Sequence, residues 1–235
     1  MTEIVNESGP WPRRRARAAV TRAQILRAAT GLFLVHGYAA TTMPAIAAGA
    51  GVSRATVFNS VGGKAAVLKA SYDVAVVGDG EPVPIYQRPE MQAMFAEPNP
   101  ERTLVLYAAI IAGIGGRISG LYEVFRAAAG ADPEIATLWQ QIQAERQVGA
   151  TQFVTMLRAK APLRPGLVAA AAADIVWVHI DNGIYHRFVH ERGWSPEQFQ
   201  AWFADTLSAQ LLGRSGFPVA GPEPSPRRTR GRERQ

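Results

Sequence analysis

The chain has 235 residues, of which 48% are hydrophobic, with no cysteine and a formal net charge of +6. This length suffices for one large domain or two modest ones. The lack of cysteine excludes disulfide frameworks and thiolate metal sites. No uncharged apolar run looks long enough to span a bilayer, and residues 1–12 lack a signal-peptide pattern. We therefore expect a cytoplasmic protein with no membrane partner.

The charge is unevenly distributed, with +6 over residues 1–75, −4 over 76–212 and +4 over 213–235. A basic N-terminal module on a mildly acidic body indicates that one part meets nucleic acid and the rest has another task. We predict a disordered basic arm over residues 1–17 and a disordered basic tail over 213–235. The arm contains four arginines, namely Arg13, Arg14, Arg15 and Arg17. We expect them either to enter a minor groove or to attach electrostatically to phosphates.

The first half of the chain is predicted to be helical, because alanine is abundant and strand-like alternation is scarce. A capping box from Thr21 to Gln24 predicts a first helix that begins near Thr21 and ends at Gly37. Three further helices are predicted, approximately over residues 43–49, 53–61 and 64–77. A segment with five prolines follows, from Gly78 to Pro100, and marks a domain boundary.

The second half is also predicted to be helical. Asn99-Pro100-Glu101 combines a cap, a proline in the first turn and a carboxylate facing the helix dipole, which is typical of a helix start. The predicted helices cover about residues 100–116, 119–129, 133–161, 165–192 and 196–212. The chain therefore belongs to the all-α class.

The residues between Thr42 and Val57 fit the steric needs of a helix-turn-helix. Ala47 is small where the second helix would cross the first. Gly51 follows in the turn, where the backbone angle favours glycine. Val57 is an apolar anchor that sets the angle of the second helix.

This region resembles the tetracycline-repressor (TetR) family of bacterial regulators over about residues 21–70. The residues that carry the resemblance are Ile25-Leu26, Ala28-Ala29, Leu32-Phe33, Gly37-Tyr38, Thr41-Thr42-Met43, Ile46-Ala47, Ala50-Gly51-Val52-Ser53, Thr56-Val57-Phe58, Lys64 and Leu68. The resemblance implies a three-helix helix-turn-helix DNA-binding domain over residues 18–78. It also implies a helical ligand-binding and dimerisation domain over residues 79–212, where the match is only in the number and layout of helices.

By this resemblance, the helix from Ser53 to Val61 enters the major groove of double-stranded DNA. Arg54 and Thr56 are then the main candidates for base contacts, because arginine can bind guanine through two hydrogen bonds. The full set of expected DNA-binding residues is Thr42, Ser53, Arg54, Ala55, Thr56, Phe58, Asn59 and Lys64. Of these, Thr42 and Lys64 stand at helix starts and are expected to bind phosphates.

Two positions depart from the family pattern. Phe58 stands where the family usually has tyrosine, which removes one hydroxyl that would reach a phosphate. Val61 stands where phenylalanine is usual, which leaves a smaller plug between helices. The departures affect details of the interface and leave the helix-turn-helix prediction intact.

The resemblance further implies a homodimer that reads a palindromic operator and a small-molecule effector that releases it. The dimer would form through the last two helices and place its heads about 34–36 Å apart. The effector is expected to be hydrophobic or aromatic. Candidate residues for its pocket are Tyr107, Ile111, Tyr122, Phe125, Trp139, Phe153 and Trp177. Each of these has the plain alternative of an ordinary core residue.

Other functions remain open at the level of sequence. The protein could be an activator, or a regulator that needs no ligand, or an interaction dimer whose basic module is vestigial. A helical enzyme is a further alternative, although no nucleophile elbow or phosphate loop is visible. His186 and His190 are four residues apart, but two ligands do not make a zinc site and Asp181 is not on their face. We expect no metal and no cofactor.

Overall fold

The computed structural model of the protein describes residues 10–78 and 83–214, and no strand occurs in these two ranges. The helices are α1 Pro10–Ala40, α2 Met43–Gly49, α3 Arg54–Ser60, α4 Lys64–Val77, α5 Pro89–Ala96, α6 Pro100–Ala128, α7 Pro133–Arg158, α8 Ala169–His179, α9 Asn182–Tyr185 and α10 Pro196–Leu207. A 3₁₀ turn over Ile85–Gln87 precedes α5, and π-helical turns over His186–Glu191 and Ser208–Leu212 extend α9 and α10. The all-α prediction is confirmed.

Helix α1 begins earlier than predicted. It starts at Pro10, so Thr21 lies inside the helix and does not cap it. The expectation of a disordered arm is therefore wrong for residues 10–17, while residues 1–9 lie outside the described residues. From Arg14 to Val20 the helix is exposed on all sides, so local propensity holds it rather than packing. Gly37 takes φ +72° and interrupts the helix, as its position predicted.

Helices α1 to α4 share one hydrophobic core with the C-terminal half of α6 and the start of α7. Its fully buried members include Ile25, Phe33, Ile46, Val57 and Leu68. The turn between α2 and α3 is closed by the Val52 amide, which donates to the carbonyl of Ala47 at 3.0 Å. Burial of these side chains, more than the propensity of the two seven-residue helices, holds α2 and α3 in place.

Helix α6 is one continuous helix, whereas the sequence predicted two helices separated near Gly115-Gly116. These glycines do not end the helix. They allow a side chain of another helix to approach the backbone of α6 closely. The ring of Tyr185 on α9 lies so close that a Cβ at Gly115 would stand 2.6 Å from its Cγ. A glycine pair inside a helix can thus mark a close approach rather than a helix end.

The predicted helix over residues 165–192 is wrong in its bounds and continuity. Helix α8 begins at Ala169 and ends at His179, and α9 begins after Asp181. Two side chains favour this break by satisfying free backbone groups. Arg146 Nη2 donates to the carbonyl of Trp177 at 2.7 Å, and Asp181 Oδ1 accepts from the amide of Gly183 at 2.8 Å. A side chain from α7 therefore helps end α8, which a local pattern could not indicate.

The cap predicted at Asn99 is present, and α7 and α10 also begin with side-chain caps. Asn99 Oδ1 accepts from the amide of Arg102 at 2.8 Å, and Asp132 accepts from the amides that open α7. Ser195 and Gln198 form a reciprocal capping box at the start of α10. Helices α5 to α10 then enclose a second core, in which the rings of Tyr107 and Phe153 stack with centroids 3.7 Å apart.

By length and mean hydropathy alone, two helices are able to cross a membrane, residues 14–40 of α1 and the whole of α6. Within α6, however, the longest stretch without a charged side chain runs from Thr103 to Gly116. That stretch is shorter than the roughly 20 apolar residues that a spanning helix needs. Both helices also pack in the hydrophobic cores described above, and core helices of this length meet the same criterion.

Replacing Gly115 by alanine should destabilise the protein, because the new methyl group overlaps the ring of Tyr185. We expect a loss of about 1–3 kcal/mol in the free energy of unfolding, the usual range for overpacking. Gly113→Ala is the matched control two residues away, where a Cβ would meet only Arg117 Nη1, at 3.6 Å. That control should gain up to about 1 kcal/mol from helix propensity. Equal effects of the two substitutions in urea unfolding would contradict this account of the α6–α9 contact.

Candidate functional site

The helix-turn-helix is formed by α2, the turn at residues 50–53 and α3. Thr42 Oγ1 accepts from the amide of Ala45 at 3.3 Å, and Ser53 Oγ accepts from the amide of Thr56 at 3.0 Å. Both residues are thus N-caps. Threonine and serine cap helices in proteins of every function, so this role by itself does not indicate DNA binding. Gly51 takes φ +66°, the left-handed conformation that the motif predicted for this turn.

One face of α3 is open to solvent and presents four of the expected DNA-binding residues together. Arg54, Ala55, Phe58 and Asn59 are all exposed, and Phe58 has 64% of its surface accessible. The Phe58 ring therefore adds apolar surface to a face that is otherwise polar or small. Arg54 makes no hydrogen bond or ion pair with the described part of the chain, so its guanidinium is available to a partner.

Thr56 differs from the other predicted base-contact residues. Its side chain is half-buried, and its hydroxyl lies 2.8 Å from the hydroxyl of Ser53. The two hydroxyls therefore satisfy each other at the first turn of α3. Arg54 and Asn59 have the more open side chains for reading base edges.

Lys64 stands at the first residue of α4, as predicted, but it also has a contact within the protein. Its Nζ donates to the carbonyl of Tyr38 at 2.9 Å and lies 4.1 Å from the centre of the Tyr38 ring. This hydrogen bond and cation–π contact join the start of α4 to the end of α1. An ammonium group has three N–H donors, so two remain for a phosphate.

A cavity of about 390 Å³ lies between the DNA-binding helices and the second core. Helix α4 lines it with Tyr72 and Val76, and α5 closes one side with Met91, Met94 and Phe95. The remaining walls come from α6, α7 and the α8–α9 junction. This size and mostly apolar lining are typical of sites for small organic molecules.

Three of the seven residues predicted for a pocket line this cavity, namely Tyr107, Ile111 and Phe153. The other four do not. Tyr122 and Phe125 are fully buried in the core shared with α1 to α4, and the Trp139 ring packs on Tyr122 at 4.7 Å. The Trp177 ring lies 5.3 Å from the guanidinium of Arg146. An aromatic residue on a predicted helix does not reveal which of the neighbouring helices it faces.

The sequence reasoning missed several lining residues, among them Tyr72, Arg146 and the methionines of α5. Met91 and Met94 are three residues apart, so they share one face of α5, and this spacing is visible in the sequence. No local signal marked Arg146, because its importance comes from the tertiary contacts of α7. Its Nη1 donates to Tyr122 Oη at 3.3 Å and lies 3.5 Å from Asp181 Oδ2.

The C-terminus of α5 is fixed by Lys160, which lies just beyond α7. Its Nζ donates to the carbonyls of Met94 at 2.9 Å, Phe95 at 3.1 Å and Glu97 at 2.7 Å. A cation at the carbonyl end of a helix satisfies free acceptors and complements the helix dipole. Lys160 therefore holds α5, and with it one wall of the cavity, against the body of the protein.

The two histidines that the sequence places four residues apart, His186 and His190, have other contacts in the structure. The rings of His186 and His190 lie 5.1 Å apart, and His190 Nε2 is 3.2 Å from the hydroxyl of Ser119. Across residues 10–78 and 83–214, no group of three or more potential ligands is placed to hold a metal ion.

The helix-turn-helix region matches a known family. Residues 25–71 match the sequence model described as "Bacterial regulatory proteins, tetR family". The segment over residues 25–71, which contains α2 and α3, is therefore similar to the DNA-binding part of tetR-family regulators. The protein is accordingly a DNA-binding transcriptional regulator. No curated protein matches the sequence.

Solved structures share the fold over most of the chain. The repressor SmeT of the Stenotrophomonas maltophilia multidrug efflux pump SmeDEF is 21% identical, with a TM-score of 0.59 over 87% of this chain and 97% of that one. NalD, the secondary repressor of the MexAB-OprM multidrug efflux pump in Pseudomonas aeruginosa, is 20% identical, with a TM-score of 0.59 over 82% and 96%. A putative transcriptional regulator from Saccharomonospora viridis in complex with choline is 16% identical, with a TM-score of 0.60 over 82% and 98%. These likenesses show that the fold extends through both cores.

Replacing Lys160 by methionine should loosen α5 without unfolding the protein. The change removes the ammonium that binds three carbonyls and keeps a similar side-chain length. Protection of the α5 amides against hydrogen exchange should fall by about ten-fold, which corresponds to roughly 1.4 kcal/mol. Arg158→Met, on the exposed last turn of α7, is the matched control and should leave α5 unchanged. If the α5 amides are equally protected against hydrogen exchange in the two variants, Lys160 does not hold this wall of the cavity.

Proposed function

We propose that the protein is a transcriptional repressor, acting in the cytoplasm, that binds a palindromic operator as a homodimer and is released by a small hydrophobic or aromatic effector. The observation that carries this proposal is that α4 contacts both the DNA-binding head and the cavity. Its first residue, Lys64, closely follows α3, which we propose as the recognition helix. Its later residues Tyr72 and Val76 line the cavity. A molecule in the cavity would therefore touch the helix that connects to the DNA-binding head.

The packing around α4 supports such a coupling. The ring of Tyr72 meets the ring of Phe125 on α6 edge-on, with centroids 5.6 Å apart, and both are buried. Closely packed contacts of this kind pass a displacement on rather than absorbing it. An effector that binds better to one position of α4 than to another would shift the population of heads that fit the operator.

A homodimer is supported by an apolar patch on α8 and α10. Ile175 and Val178 share one face of α8 by their helical spacing and are half-buried and exposed, and the exposed Val168 is the N-cap of the same helix. Trp202 on α10 continues this patch, because its ring lies 6.0 Å from that of His179. Exposed apolar side chains on neighbouring helices support a surface that binds another protein. A two-fold dimer would double the DNA contacts of a single short recognition helix.

The relatives of similar fold agree with this proposal. Two of them are repressors of multidrug efflux pumps, and one was solved in complex with a small molecule, choline. An activator would use the same DNA-binding surface, so a reporter gene behind the operator must distinguish repression from activation. Expression that rises when the protein is deleted supports repression, and expression that falls supports activation.

Salt-dependent binding to a palindrome in the DNA upstream of its own gene tests the DNA-binding part. Arg54→Ala should weaken operator binding by about 1–3 kcal/mol and relax the preference at one base position. Lys64→Ala should weaken operator and random DNA about equally and lower the salt slope by about one unit. Because Lys64 also binds Tyr38, a thermal melt must show that this variant still folds.

The exposed Arg158 on the last turn of α7 offers a matched control for these two variants. Arg158→Ala removes one positive charge far along the chain from α3 and should leave both affinity and salt slope unchanged. A wild-type protein without preference for the palindrome would refute the proposed operator. An equal loss on specific and random DNA for Arg54→Ala would refute base reading by that residue.

Sedimentation velocity tests the dimer. Val178 is 49% exposed, and Val178→Glu should raise the dissociation constant of the dimer at least about ten-fold by burying a charge in the interface. Val105→Glu on α6 is the control, since Val105 is similarly exposed at 44% but lies outside the patch. A wild-type monomer at micromolar concentration, or equal weakening by both variants, would contradict the proposed interface.

A further inference from the structure

Residues 14–20 of α1, which we call the basic extension, form a helical segment that lies open to solvent. Helix α1 is regular from Pro10 past Arg22, and every side chain from Arg14 to Val20 is exposed. Arg22 Nη1 donates to the carbonyl of Ser60 at 2.9 Å, which places Arg22 at the C-terminal end of α3. At about 1.5 Å per residue, Arg14 lies roughly 12 Å further along the helix axis. The basic extension therefore continues beyond one end of α3.

The helix-turn-helix region carries no carboxylate that would neutralise this extension. Residues 10–72 contain nine lysines and arginines and no aspartate or glutamate. Arg14, Arg15 and Arg17 form no hydrogen bond or ion pair with residues 10–78 or 83–214. A surface of one sign without counterions is the electrostatic signature of a polyanion partner. Double-stranded DNA is the polyanion that the adjoining helix-turn-helix binds.

The arginines occupy one side of the helix. At about 100° per residue, the three arginines of the basic extension fall with Arg22 in an arc of roughly 160°. The opposite side is small and apolar, and its members are Ala16, Ala19, Val20 and Ala23. Because Arg22 reaches α3, the arginines of the extension face the same side of α1 as α3 does.

The helical form of the extension decides between two ways of meeting DNA. With its side chains, an α-helix is about 10–12 Å across, whereas the minor groove of B-DNA is only about 6 Å wide. A helix therefore does not enter the minor groove as an extended arm would. Since α3 takes the major groove, the surface left beside its end is the phosphate backbone. Arginine binds phosphates through two parallel hydrogen bonds.

We infer that the basic extension is a second DNA-binding element, a helix whose Arg14, Arg15 and Arg17 bind phosphates that flank the base pairs read by α3. This inference rests on the proposed recognition role of α3 and enlarges the interface beyond it. Phosphate contacts carry no base reading, so the extension strengthens binding to every sequence. Its length of about 12 Å from Arg22 to Arg14 covers roughly three or four further base pairs.

Salt-dependent binding of the full-length protein to a random duplex of about 40 base pairs tests the phosphate contacts. The triple variant Arg14→Gln/Arg15→Gln/Arg17→Gln should lower the salt slope by about 2–3 units per protomer, since each phosphate contact contributes about 0.9. An unchanged slope overturns the inference.

A control of equal charge comes from three exposed arginines outside the helix-turn-helix. Arg102→Gln/Arg158→Gln/Arg192→Gln removes the same net charge and should leave the salt slope nearly unchanged. If this control lowers the slope as much as the first variant does, net charge explains the effect and the basic extension has no special role.

A glycine variant tests whether the helix matters. Ala16→Gly/Ala19→Gly keeps every charge, removes no packing because both side chains are exposed, and lowers helix propensity. It should bind the same duplex at least about three-fold more weakly, while a thermal melt shows that the remaining protein is folded. Wild-type affinity of this variant would mean that the arginines attach without a helix, which contradicts the inference.

Operator duplexes separate this inference from the proposed function. The wild type should bind a palindrome with about ten flanking base pairs on each side at least about ten-fold more tightly than a trimmed one, and the triple glutamine variant should lose this difference. Flanks rich in A·T or in G·C should act equally, because phosphates do not distinguish them. Preference for A·T flanks would indicate entry into the minor groove and overturn the inference. If no palindrome is preferred, the proposed operator fails, and the salt slopes on random DNA still decide the role of the extension.

Discussion

The contact of α4 with α6 is the interaction on which the rest of the structure depends. Helix α6 packs against α1 and α4 with its C-terminal half and also contacts α5, α9 and α10, so it belongs to both cores. The buried edge-on contact of Tyr72 with Phe125 lies at this junction. Together with the packing of α1 on α6, this contact joins the core of the helix-turn-helix to the wall of the cavity.

Three basic side chains hold the helix ends around this junction. Lys64 joins the start of α4 to the end of α1, Arg146 helps end α8, and Lys160 caps α5. Each donates to backbone carbonyls that the helices themselves leave free. The basic side chains of this protein thus fall into two groups. Some face solvent, as Arg54 does, and others bind backbone carbonyls and fix the geometry of the cavity and of the DNA-binding head.

The cavity has its character because its polar groups are arranged asymmetrically. Arg146 donates to Tyr122 and to the carbonyl of Trp177, and it lies 3.5 Å from Asp181. Tyr107 adds a hydroxyl that burial keeps protonated. The wall therefore combines a mostly apolar surface with a few polar groups, and Arg146 also helps to stabilise the α8–α9 break.

The sequence by itself determined the all-α class and the helix-turn-helix, because these depend on local signals. Gly51 in the turn, Ser53 as a cap and Val57 as an anchor lie within a few residues of one another, and each appears as predicted. Only the tertiary structure decided the continuity of α6, the break after α8 and the membership of the cavity. Gly115 permits a ring from another helix to approach, and Arg146 ends a helix that follows it by more than twenty residues. Such effects arise between residues distant in the chain, so no local pattern carries them.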